Sequence, residues 1–350
     1  MPTVRLSGTV KGGQDQNRAL RAKLLYLLYG AGWDIYNSNG DQTITLSNIE
    51  RKIIEANAFV FTPDASLEDL FKAISIFVGY QTLDANLKNK PTVLMNPDGS
   101  WDSLATLLDH LHELGTVMQK HREYLLVANE PEQVLELLEK AVSQGVPDVG
   151  RIKEGTAAVD SFDLAQEDPS RKNVCVFCSA SIKDAEYLQD GYEMGAALAR
   201  AGYGCVSGAG RTGIMGTVVQ GAVEAGGWTG GSNVPHIIEL EGLPVGLSSF
   251  WLRPDIYTRM EVMIERSDAF VIFPGGAGTV QEMLALMIFQ QQQNPHVIGK
   301  PVVVFNRLDR SGKRFWTPLI EMLHASCGTQ AFVVVDELDQ VVPAIREAMR

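Results

Sequence analysis

The sequence predicts an α/β protein built on a parallel sheet with helices on both faces, preceded by a shortened, degenerate copy of the same fold. Three observations carry this. Short apolar runs alternate with stretches of helical spacing through the C-terminal half, and glycine-rich turns stand where two of those runs end. Four pieces of the pattern then recur, in the same order, in the N-terminal half.

In the C-terminal half, Val174–Cys178 is the first strand, and Ala185 to Ala201 is helical by spacing, ending at Gly202. Tyr203–Val206 is a second strand. It runs into the turn Ser207-Gly208-Ala209-Gly210-Arg211-Thr212-Gly213, after which a helix continues to about Ala225 and stops at Gly226-Gly227. Ala269–Phe273 is another strand, leading through Pro274-Gly275-Gly276-Ala277-Gly278-Thr279 into a helix that reaches about Gln292. Pro301–Phe305 and Phe332–Val335 are two more apolar strands. Strands joined by helices of this length pair in parallel, because a helical crossover returns the chain to the same end of the sheet.

The recurrence is specific. Ala56-Asn57-Ala58-Phe59-Val60-Phe61-Thr62-Pro63 parallels Ser267-Asp268-Ala269-Phe270-Val271-Ile272-Phe273-Pro274, and Lys90-Pro91-Thr92-Val93-Leu94-Met95-Asn96 parallels Lys300-Pro301-Val302-Val303-Val304-Phe305-Asn306. A tryptophan follows each of the latter, Trp101 and Trp316. Asn129-Glu130-Pro131-Glu132-Gln133-Val134 parallels Asp336-Glu337-Leu338-Asp339-Gln340-Val341, and Ala31-Gly32-Trp33 matches Ala201-Gly202-Tyr203. Any two α/β sheets share some of this, but collinear matches read as an internal duplication. About 20 residues separate Asn37 from Ala56, against about 60 between Ser207 and Ser267, so the first copy is expected to lack the glycine-rich turn and its helix. Asp64-Ala65 replaces the double glycine and places a carboxylate where an anion would sit. From about Ser143 to Lys172 the periodicity is lost among Gly, Pro and charge. The expected domains are therefore 1–142, a linker at 143–171, and 172–350.

Composition narrows the function classes. With 45% hydrophobic and 21% charged residues, the 350-residue chain can bury two ordinary cores. No apolar run approaches the roughly 18 to 20 residues that span a bilayer. Met1-Pro2-Thr3-Val4-Arg5 lacks a signal peptide's layout, so a cytoplasmic protein with no membrane partner is expected. The net charge of −12 argues against nucleic acid as a partner, yet a small anion can be held by backbone N–H groups and one arginine. Cys175 and Cys178 form a C-x-x-C, but they lie on a strand with no second Cys or His pair nearby. They read as core cysteines; no metal and no cofactor are expected.

Both glycine turns follow a strand and open a helix. Such helix starts carry N–H groups without internal partners and suit an anion, and in a parallel sheet they fall at the carboxyl ends of the strands, where ligands bind. Thr279 and Glu282 form a T-x-x-E pattern, which reads equally as a capping box or as a carboxylate one turn past the anion loop. Arg253 and Arg259 precede the strand at Ala269–Phe273 and are either solvated helix residues or part of a site. His236 reads as structural.

These residues carry a resemblance. Pro274-Gly275-Gly276-Ala277-Gly278-Thr279-Val280-Gln281-Glu282 resembles the P-G-G-x-G-T-x-x-E signature of the LOG family, described as possible lysine decarboxylases and acting as nucleotide 5′-monophosphate phosphoribohydrolases. Gly210-Arg211-Thr212-Gly213-Ile214-Met215-Gly216 is similar to the family's other signature, a glycine turn ending in G-[LI]-M-G, and the strand at Val174–Cys178 resembles its first strand. The resemblance covers about residues 172–350. It implies a Rossmann-like fold, a homodimer or higher homo-oligomer, and a catalytic pair at Arg259 and Glu282. It places the nucleoside monophosphate against Gly208, Gly210, Gly213, Met215, Gly216, Gly275, Gly276, Gly278 and Thr279, with Ser179 and Ser181 as further candidates. Plant-type members have Lys after the Arg, where this chain has Met260; the stretch from Pro254 to Glu261 looks instead like the larger bacterial nucleosidase branch, which carries an extra N-terminal domain. That moves the expected substrate away from cytokinin precursors. In the first copy Asn48 stands in place of Arg259, so a structural or regulatory role is expected there.

The reaction implied is hydrolysis of a nucleoside 5′-monophosphate to free base and ribose 5-phosphate. The alternative is a non-catalytic carrier of a nucleotide or of molybdenum cofactor. Presence of both Arg259 and Glu282 favours the enzyme, since a carrier needs only the phosphate loops. Lysine decarboxylation is least favoured, because no lysine sits in a pyridoxal-phosphate context.

Overall fold

The computed structural model describes residues 2–8, 15–37, 46, 55–63, 65–82, 84, 87, 90–144, 161–164 and 168–350. The chain divides into two compact units, Met1–Gly155 and Thr156–Arg350. No helix among the described residues is long and apolar enough to cross a membrane.

The first unit contains β1 (Thr3–Ser7), α1 (Asp15–Gly30), β2 (Asp34–Asn37), β3 (Ala58–Phe61), α2 (Leu67–Gln81), β4 (Thr92–Met95), α3 (Asp102–Glu113), β5 (Leu125–Ala128) and α4 (Pro131–Gln144). Its sheet has the order β2-β1-β3-β4-β5, and every pairing is parallel. The first strand is short and interleaved with Thr3, Arg5 and Ser7, which hid it in the sequence, yet Val4 and Leu6 are completely buried in a core with Leu24, Leu28, Val60, Val93 and Leu138.

The second unit contains β6 (Phe162–Leu164), β7 (Asn173–Phe177), α5 (Ala185–Arg200), β8 (Gly204–Ser207), α6 (Gly213–Glu224), β9 (Thr229–Asn233), α7 (Pro235–Glu241), β10 (Ser249–Leu252), α8 (Ile256–Glu265), β11 (Ala269–Ile272), α9 (Ala277–Gln291), β12 (Val302–Phe305), α10 (Thr317–Cys327), β13 (Val333–Val335) and α11 (Val341–Ala348). The order is β13-β12-β11-β7-β8-β9-β10-β6. All pairings are parallel except that of β6 with β10. The expected linker therefore contains sheet: Phe162 and Leu164 pair with Leu252 and Phe250, and Arg253 bridges back to Asp163 at 2.5 Å. Arg253 thus ties the sheet edge together.

Local chemistry explains the helix starts. Asp184 caps α5 by accepting from Glu186 N–H at 3.0 Å, and Asp255 caps α8 by accepting from the N–H groups of Tyr257 and Thr258 at 2.9 Å. The helices α5 and α6 pack closely through Gly195, where a Cβ would fall 1.9 Å from the Val218 carbonyl oxygen.

Removing β6, β9 and β10 from the second sheet leaves β13-β12-β11-β7-β8, the strand order of the first. Paired positions also make the same hydrogen bonds. Asn57 Oδ1 accepts from Thr3 N–H, as Asp268 Oδ2 does from Asn173 N–H, both at 2.9 Å. Asn96 Oδ1 accepts from Trp101 N–H at 2.9 Å, as Asn306 Oδ1 does from Trp316 N–H at 2.7 Å. Gln133 Oε1 accepts from the N–H groups of Asn129 and Glu130, and Gln340 Oε1 from those of Asp336 and Glu337. Asn48, Asp64 and most of the segment from Asn37 to Ala56 lie outside the described residues.

Candidate active site

In the second unit, β7 runs to β8, β9 and β10 on one side, and the chain then returns to β11 on the other. Strand order reverses beside β7, which is where open parallel sheets bind ligands, beyond the strands' carboxyl ends. Three loops meet there. Ser179 N–H donates to the Pro274 carbonyl, Met215 N–H to the Ser179 carbonyl, and Thr212 Oγ1 to the Ala180 carbonyl. Ser179 Oγ accepts from the N–H groups of Ser181 and Ile182 and sits 3.0 Å from Ser181 Oγ. Ser179 thereby shapes the central loop, while Ser181 is exposed.

The α9 start is open. Its N-cap is Gly276, no side chain caps it, and Thr279 and Glu282 lie inside the helix, the latter on its sixth residue. The capping-box reading is therefore corrected: the cap falls three residues earlier, and Thr279 fills the space over Gly275, where a Cβ would come within 2.1 Å of its Oγ1. At Gly278 a Cβ would meet nothing within 4 Å, so this glycine faces open space. The α6 start also lacks a side-chain cap.

Glycines of the other turn make room for charged groups. A Cβ at Gly208 would lie 2.0 Å from Arg259 Nη2, and one at Gly210 would lie 2.5 Å from Glu241 Oε2. Arg259, half-buried on α8, donates from Nη2 to the Gly208 carbonyl at 2.8 Å and from Nε to the Ser232 carbonyl at 2.9 Å. Met215 is packed under the turn, its sulfur accepting from Gly210 N–H at 3.0 Å, and Gly216 lies against the Arg211 carbonyl. Gly213, at φ 62°, fits against the carbonyls of Ser179 and Ala180. Met215 and Gly216 thus build the turn from beneath.

Glu282 is 9% exposed. Burial pushes its carboxyl up to about 8; Arg259 draws it down, and Glu241 raises it further. Burial raises Glu241 as well, again opposed by Arg259. Neither carboxylate accepts a hydrogen bond among the described residues. Glu241 was missed from the sequence: it ends a seven-residue helix whose pattern is unremarkable, and only the crossing of α7 with the glycine turn brings it to the site. Cys175 and Cys178 are free and buried, with thiols raised by burial. His236 lies half-buried in the first turn of α7.

The corresponding helix start in the first unit is closed. Ser66 caps α2 in a full capping box, with Asp69 accepting from Ser66 N–H and Ser66 Oγ accepting from Asp69 N–H. Asp69 also accepts from Ser7 Oγ at 2.7 Å, and Lys72 occupies the sixth helical position held by Glu282 in α9. The carboxylate expected from Asp64 lies outside the described residues; Asp69 is a separate one and belongs to the capping box.

A parallel sheet whose switch point lies beside two uncapped helix starts, a half-buried Arg259 and a buried Glu282 defines a Rossmann-like α/β protein with charged groups gathered at the carboxyl ends of its strands. The family described as "Possible lysine decarboxylase" matches residues 30–138 and 215–349, one stretch in each unit, and the chain belongs to that enzyme family, LOG. A cytokinin riboside 5′-monophosphate phosphoribohydrolase of Mycobacterium tuberculosis is 36% identical over 110 residues, which are 31% of this chain and 59% of the relative. One from Mycobacterium marinum is 30% identical over 181 residues, 51% of this chain and 95% of the relative. The solved structure of a molybdenum cofactor binding protein from Rippkaea orientalis aligns with a TM-score of 0.41 at 18% identity, covering 52% of this chain and all of that one.

Proposed function

We propose that the second unit hydrolyses the N-glycosidic bond of a nucleoside 5′-monophosphate, releasing free base and ribose 5-phosphate. The observation that carries this is a buried carboxyl, Glu282, on the sixth residue of an uncapped helix that starts in a glycine-rich loop; burial pushes it up to about 8, and the Arg259 charge opposes that shift. The relatives' names agree with it.

The 5′-phosphate sits at the starts of α9 and α6, whose leading N–H groups lack helical partners. Cleavage passes through a ribosyl cation, so the departing base needs a proton and the sugar needs negative charge beside it. At neutral pH Glu282 carries a proton and gives it to the base as the C1′–N bond breaks. The carboxylate that results faces the cation and takes a proton from the water whose oxygen bonds to C1′, which restores the acid. Arginine holds its proton too tightly to be the donor, so Arg259 acts through its charge, lowering the cost of ionising the two carboxyls. Burial, with a smaller contribution from Glu241, keeps Glu282 protonated. Burial is what makes Glu282 a proton donor as well as a carboxylate near the sugar.

The first unit is a duplicated copy in a structural or regulatory role. Support comes from the shared strand order, the three repeated hydrogen-bond patterns and the family match in both units. The test of the reaction is incubation with AMP, GMP, CMP and UMP followed by an assay of ribose 5-phosphate. Product from at least one is expected. Nucleotide recovered intact from all four would favour a carrier.

A further inference from the structure

Of the two arginines at the glycine turn, only Arg259 is engaged, its guanidinium held by two backbone carbonyls. Arg211 is exposed and makes no hydrogen bond or ion pair among the described residues. Its position is nevertheless built. The Arg211 carbonyl lies against Gly216, and the turn is anchored by Asn233 Nδ2 donating to the Ala209 carbonyl at 3.2 Å and by Gly210 N–H on the Met215 sulfur. The guanidinium lies over Gly242: a Cβ there would come within 3.2 Å of Arg211 Nε and 3.3 Å of Cζ. Gly242 also has φ 69°, so no side chain suits that position. Glu241 reaches over Gly210 while Arg211 reaches over Gly242, so each charged side chain crosses the other segment's glycine.

Charge bookkeeping at the site is incomplete without Arg211. A phosphate monoester carries close to two negative charges, and each helix start supplies about half a positive charge. The two starts leave about one negative charge unmatched. Arg259 faces carbonyls and the two glutamates, so its charge is already engaged. Arg211 is the cation left over at this turn.

We propose that Arg211 pairs with the substrate's 5′-phosphate and makes the site select nucleotides over nucleosides. This rests on the hydrolase reading for the identity of the ligand. The test is calorimetric titration of the full chain and its Arg211→Ala variant with AMP and with adenosine. A charge-assisted contact of this kind is worth about 10- to 100-fold in affinity, so the AMP-over-adenosine affinity ratio falls by that factor in the variant, and the salt dependence of AMP binding flattens. Arg211→Lys, which keeps a point charge, restores part of the ratio. An unchanged ratio in Arg211→Ala, or equal losses for both ligands, overturns the proposal. If AMP binds in this Arg211-dependent way but is never cleaved, the hydrolase reading fails and the assignment of Arg211 stands.

Discussion

Replacing Glu282 with glutamine should remove the proposed acid and, at the same time, stabilise the protein at alkaline pH. The carboxyl is raised from 4.5 to about 8, chiefly by burial. At about 1.4 kcal/mol per pH unit, ionising it in the folded state costs on the order of 5 kcal/mol more than in the unfolded chain. Because the folded value is raised, the group's contribution to stability is fully present below 4.5. It declines as pH rises and is lost above about 8. Glutamine has the same shape and no proton to lose. The stability advantage of Glu282→Gln over wild type should therefore grow by about 3 kcal/mol between pH 6 and pH 9. Urea unfolding at several pH values in that range, followed by fluorescence, measures it. Parallel curves for the two proteins would show that Glu282 is not buried as described. Activity should fall about 10²- to 10⁴-fold, the range for a lost general acid.

Two further substitutions probe neighbouring residues. Glu241→Gln removes the like charge that raises Glu282, so the alkaline limb of the kcat profile should move to lower pH; a limb that stays in place would separate Glu241 from the reaction. Gly278→Ala projects a methyl into open space, so urea unfolding should show a stability change of no more than about 1 kcal/mol. KM for the nucleotide should nevertheless rise about tenfold as the methyl enters the anion site.

The elements bearing the site were legible because their signals are local. Strands β8, β11 and β12 are apolar runs with Gly or Pro at or next to an end, β7 is an apolar run between charged and small polar residues, and α5, α6 and α9 end at or near glycines or polar residues, so each was read to within a residue or two. Strand β9 was not, since Thr229-Gly230-Gly231-Ser232-Asn233 has the composition of a turn and becomes a fully buried strand only between β8 and β10. Strand β6 has three exposed residues and exists through its pairing with β10. The T-x-x-E pattern misled because a glycine in extended conformation took the cap position ahead of it. Arg259 and Glu282 were found through a motif. Glu241 needed tertiary structure, because its chemistry depends on crossing Gly210, some thirty residues earlier in the chain.

The central claim is cleavage of a nucleotide by the Glu282 carboxyl. The most direct test is a chromatographic time course of wild type and Glu282→Ala with AMP, GMP, CMP and UMP, quantifying free base and ribose 5-phosphate together. Wild type is expected to yield equimolar base and ribose 5-phosphate from at least one nucleotide, and the variant neither product. Release at equal rates by both proteins, or intact nucleotide throughout with wild type, would contradict it.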